Sequence, residues 1–239
     1  MTNYSSFFLF FFSCALSLLG AVATSRYIDF LYWKNAALVQ SVPAQVPRLR
    51  RPFLALALWV CEELLLAKAG GPALLPAVAV SAPESALSGW MIILFLTPGV
   101  FLLLIITVTD AEQRLILDDT TRPLAVFGLA QSVAAAFAAA AFAPLLDNLF
   151  AAAAGGAAFL ILAYLTRGGV GGGDIKLIAA LGLWLGPHRL LTVVLTGLFL
   201  GGLVALFLLL SKKKNRKDSF AYGPCFTLPA ILSLLTGIL

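Results

Sequence analysis

Eight apolar stretches, at about 5–24, 52–68, 86–109, 123–144, 149–166, 175–187, 190–210 and 220–238, take up most of this chain. Several of them approach or exceed the roughly 20 residues that a helix needs to cross a bilayer. Only 11% of the residues are charged and 61% are hydrophobic, against about 25% charged in a typical soluble domain. The alternation of polar and apolar residues that marks a membrane β-barrel is missing. The reading is therefore an all-α, polytopic helical membrane protein with about eight transmembrane helices. The second stretch carries Glu62 and Glu63, and the sixth is short.

The basic residues orient the chain, because Lys and Arg accumulate in cytoplasmic loops. With the N-terminus outside, the inner loops hold Arg26, Lys34, Arg48, Arg50, Arg51, Arg114, Arg122, Arg167, Lys176 and the run Lys212, Lys213, Lys214, Arg216, Lys217. Only Lys68 and Arg189 fall on the other side. The net charge of +5 is thus a topology signal and implies no nucleic-acid partner. The run at 212–217 suits anionic lipid headgroups. The opening "MTNYSS" lacks the basic residues of a signal peptide, so the first stretch reads as an uncleaved span.

Cys14, Cys61 and Cys225 are dispersed in apolar runs with no CxxC pair, so neither a disulfide framework nor a cysteine metal site is indicated. The spacings Gly182/Gly186 and Gly197/Gly201, with the alanine runs of the fourth and fifth stretches, read as close helix packing.

Two acids stand apart. Asp110 ends the third stretch and Asp174 opens the sixth, and the orientation puts both at the cytoplasmic membrane surface. Asp29 and Asp147 read as loop residues. Two carboxylates that meet at one depth share a proton, so one can activate water as general base while the other donates to a carbonyl oxygen. Asp174 follows "GGVGGG", whose bare backbone would let an extended peptide lie against the site. That segment has neither the GxxxxGK[ST] spacing of a P-loop nor a GxGxxG fingerprint. Lys176 reads either as a partner for an acid or as an interfacial anchor, and His188, placed outside, has no part in the site.

"GGVGGGDIKLIAALGLWLG" resembles the GxGD segment of the prepilin peptidases, or type IV leader peptidases, through Gly171, Gly173, Asp174, Lys176 and Leu177. "DAEQRLILDDTTRPL" resembles a second family segment through Asp110, Ile116, Asp118, Pro123 and Leu124, with Leu117 where the family usually has proline. "SFAYGPCFTLPAIL" resembles the family's entry to its last helix.

The resemblance implies a GxGD-type aspartic endopeptidase with Asp110 and Asp174 as the catalytic pair, and Gly171, Gly173 and Lys176 supporting it. It implies no metal and no cofactor for peptide cleavage. Its partners would be the lipid bilayer and a prepilin or pseudopilin whose leader is cut at the cytoplasmic face of the bacterial inner membrane. It divides the chain at 85: residues 86–239 form the peptidase domain, while residues 1–85, with a basic loop at 25–51, diverge from the family. That loop lacks the paired cysteines of many members. S-adenosylmethionine is implied only if the chain also methylates the new N-terminus. Two other readings compete: an ion-coupled transporter using its intramembrane acids, and a structural subunit whose acids cap helices.

Overall fold

A computed structural model describes residues 3–39, 49–68, 86–211 and 221–236. Within them every regular element is a helix: α1 Asn3–Lys34, α2 Arg50–Lys68, α3 Ala86–Gln113, α4 Asp118–Ala138, α5 Ala143–Leu165, α6 Gly172–Leu210 and α7 Gly223–Thr236. The lysine-rich run at 212–217, and residues 40–48 of the basic loop, lie outside the described residues. Among the described residues four helices contain stretches long and apolar enough to cross a membrane, and α7 is a shorter apolar helix. The all-helical membrane fold is as the apolar runs require. The eight stretches fall on seven helices, two of them sharing the bent α6.

The chain forms two compact units, Met1–Ile105 and Ile106–Leu239, with α3 contributing to each. In the first, α1 and α2 pack antiparallel. Ser13 and Ser17, one turn apart on α1, donate to Glu63 and Glu62 at 3.1 Å each. These bonds explain how α2 carries two acids mid-helix, since burying a polar group without a partner costs roughly 1–3 kcal/mol. At the other end Arg50 is buried, pairs with Asp29, donates to the Ser25 carbonyl and lies over the Tyr32 ring. Asp29 is therefore a helical, paired residue and not a loop acid, because α1 runs ten residues beyond its apolar stretch to Lys34. Asp147 likewise lies on α5.

In the second unit α6 is the organising element, packed on α4, α5 and α7. It breaks at Gly186, with φ 70° and ψ 179°, a region essentially closed to other residues. On a straight helix Asp174 and Leu198 would lie about 36 Å apart at 1.5 Å per residue. They line the same cavity instead, so the two halves double back on one another, as expected for separate stretches at 175–187 and 190–210.

The break leaves a carbonyl to satisfy. Pro187 has no N–H for the Leu183 oxygen one turn earlier. Ser132 of α4 donates to that oxygen at 2.7 Å and Asn148 of α5 at 3.1 Å, which ties three helices to the bend. Gly182 lies against the α5 backbone, where an added methyl would sit 2.4 Å from the Ala152 nitrogen, and Gly197 lies equally close to Phe226 of α7. These are packing glycines, whereas Gly186 serves the bend. Gly186→Ala should cost about 2 kcal/mol from backbone conformation alone, and its methyl would meet Asn148 Oδ1 at 2.9 Å. Thermal unfolding in detergent checks this, and an unchanged midpoint would mean that the bend is not held as described.

Candidate active site

Asp110 lies in the last turn of α3 and is almost fully buried. Beyond it the chain leaves the helix at Arg114, in a left-handed conformation, and runs extended through Leu117 into α4. Leu117 caps α4, and its carbonyl accepts from the hydroxyls of Thr120 and Thr121.

The Asp110 carboxylate accepts a 2.8 Å hydrogen bond from the backbone N–H of Gly223, the first residue of α7. The opening N–H groups of a helix have no partner within it and carry the positive end of its dipole, so they receive anions well. Gly223 is needed for the approach: a methyl there would lie 2.6 Å from Asp110 Oδ2. One turn deeper the hydroxyls of Thr107 and Thr227 meet at 2.7 Å, both buried, and Thr227 also bonds the Gly223 carbonyl. Two polar contacts thus fix the end of α3 to the start of α7.

Asp174 stands in the first turn of α6. Gly171 O accepts from the Asp174 N–H at 3.1 Å. The carboxylate borders a cavity of about 150 Å³ walled by Phe159, Leu162, Val170, Leu198, Tyr222 and Phe226. Tyr222 immediately precedes the glycine that holds Asp110, and Phe226 follows that glycine by three residues on α7. The two acids singled out in the sequence therefore converge, 64 positions apart, on the start of α7.

The supporting residues divide. Gly171 touches the acid: a methyl there would lie 3.1 Å from Asp174 Oδ2. Gly173 faces the other way, onto Ile116 of the α3–α4 link, where a methyl would lie 2.8 Å from its Cβ. Its role is to let the two acid-bearing segments touch, so that glycine is not an opening for a substrate. Space remains at Gly172, where a methyl would meet nothing within 4 Å. Lys176 pairs with Asp118, at 2.6 and 2.9 Å, and not with a member of the acid pair. Its hydrogen bond holds the Asp118 carboxyl below the usual carboxylate range, helped by the charges of Lys176 and Arg122. Among the described residues no three His, Cys, Asp or Glu side chains gather as metal ligands.

In the sequence Gly223 stands out only as part of the segment "SFAYGPCFTLPAIL". The usable signal was the Gly-Pro pair opening an apolar helix, which leaves a bare backbone donor exposed at its N-terminus.

Residues 98–206, which include both acids, match the type IV leader peptidase family. The chain is similar to the prepilin leader peptidase/N-methyltransferase of Aeromonas salmonicida (strain A449), with 29% identity over 170 residues, 64% of this chain and 56% of that protein. It is similar to the protein of the same name from Bacillus subtilis (strain 168), with 33% identity over 90 residues, 38% of this chain and 36% of that one. The Neisseria gonorrhoeae protein of that name shares 31% identity over 130 residues, 52% of this chain and 42% of its own. The chain spans about half the length, or less, of the curated relatives it matches. No solved structure matches it. The stretch that carries both acids, residues 98–206, is thus the part of the chain that is similar to the type IV leader peptidase family.

Proposed function

We propose that this chain is a membrane-embedded aspartic endopeptidase that removes the short basic leader of type IV prepilins or pilin-like secretion subunits. The observation that carries this reading is the convergence of Asp110 and Asp174 on the N-terminus of α7. In the proposed reaction the pair shares one proton and titrates as a unit. The charged member takes a proton from a water as that water attacks the scissile carbonyl. The protonated member donates to the carbonyl oxygen, and proton return to the leaving amine completes cleavage. Gly223 N–H keeps Asp110 in place through this exchange.

The sorting of basic residues supports a site facing the cytoplasm of a bacterial inner membrane. A prepilin's apolar helix would then lie in the bilayer with its leader reaching the acids from the cytosol. The peptidase step is proposed to need no cofactor, and S-adenosylmethionine enters only if the chain also methylates the new N-terminus. The test is incubation of membranes carrying the chain with a panel of prepilins, with the product N-terminus read by mass spectrometry. Cleavage at the leader junction is the expected result. Intact leaders across the panel, with the protein inserted and folded, would sink the reading.

A further inference from the structure

The outward side of the α4–α6 contact carries a second polar feature, separate from the acid pair. A cleft of about 400 Å³ opens between the first turns of these helices. Its rim holds Arg122, Lys176 and Asp118, and its floor is Ala125, Ala179 and Ala180. Asp118 is shared: Lys176 Nζ lies 2.6 Å from Oδ1 and Arg122 Nη2 lies 3.3 Å from Oδ2. Two cations facing one carboxylate leave a net positive charge. The Arg122 side chain is 78% exposed and that of Lys176 56%, so their remaining N–H donors point to solvent; guanidinium carries five and ammonium three.

An exposed pair of this kind adds little to stability, so stability alone does not account for the cluster. A rim of positive charge above a floor of small apolar side chains, on two helices of a membrane protein, is the chemistry of a site for an amphiphilic anion. We propose that this cleft binds an anionic phospholipid, the phosphate on Arg122 and Lys176 and the glycerol and upper acyl chain against the three alanines. The apolar floor favours a lipid over free phosphate. This inference stands apart from the peptidase reading and survives its failure.

Lipid retention by the full chain is measured by native mass spectrometry from detergent, with added phosphatidylglycerol or phosphatidylcholine. Phosphatidylglycerol should be retained in preference, and Arg122→Gln should weaken its binding about fivefold, the value of one interfacial cation. Ala125→Leu, which fills the floor but keeps every charge, should weaken lipid binding as well, with both variants checked for a wild-type melting curve. Equal retention of the two lipids overturns the proposal, as does unchanged binding by either variant. Displacement of the lipid by millimolar inorganic phosphate, with Ala125→Leu without effect, would make the cleft a simple anion site and overturn it too. If one variant melts early, the other decides.

Discussion

Asp110→Asn and Asp174→Asn should each lower the rate of leader removal about a thousandfold or more while the protein still inserts and folds. Each substitution is nearly isosteric, and at residue 110 it keeps an acceptor for the Gly223 N–H. What it removes is the exchangeable proton. Proton transfer by a positioned group is worth roughly 10²–10⁴ in rate, and neither acid can replace the other, because one must accept while the other donates. The double variant should therefore be scarcely slower than either single one, since residues that act as a unit are not additive. The measurement is single-turnover cleavage of a purified prepilin in detergent. Two variants that each cleave within tenfold of wild type would make the acids structural.

Gly223→Ala should cost about a hundredfold in the same assay, with a smaller effect on thermal stability. The added methyl would lie 2.6 Å from Oδ2 and 2.8 Å from Cγ of Asp110, well inside van der Waals contact. Either the carboxylate rotates away or the start of α7 withdraws, and each loses the 2.8 Å hydrogen bond. A displacement of about 1 Å at a reacting group can cost 10²-fold. Deeper contacts resist unfolding, because the Thr107–Thr227 pair and the packing of Phe226 against Phe159 are untouched. The diagnostic pattern is thus a fall in kcat larger than the loss in melting temperature can explain. A variant as fast as wild type would show that the Gly223 N–H does not position Asp110.

The two aspartates were legible because each breaks an apolar pattern at a helix end, where charge is expensive enough to demand a reason. The reversal inside α6 was legible only as the gap between the stretches at 175–187 and 190–210, because Gly186 reads in sequence as half of a packing spacing while in the fold it makes the bend. Its stabilisation was not: nothing near Pro187 in sequence indicates that Ser132 and Asn148 supply the missing donors. Glu62 and Glu63 have no visible partner in the sequence for the same reason, since the serines they accept from lie 45 and 50 positions away on α1. The sequence leaves Lys176 as either a partner for an acid or an interfacial anchor, and the acid it reaches is Asp118 on another helix. The bare backbone of "GGVGGG" suggests room for a peptide, yet at Gly173 Ile116 occupies that room.

What the sequence by itself determined was whatever acts within a run of consecutive residues. Apolar hydration decides which stretches enter the bilayer, the distribution of Lys and Arg supports one orientation, and the sterics of glycine and proline mark where helices stop. Tertiary structure alone decided the pairing of polar groups across helices: Asp110 with Gly223, Lys176 with Asp118, and Glu62 and Glu63 with Ser17 and Ser13. The physical reason is that burial compels each such group to find a partner but does not say which one. That choice depends on the rotation and depth of helices whose contacts are made by small side chains, and close approach of backbones, rather than any local pattern, sets both.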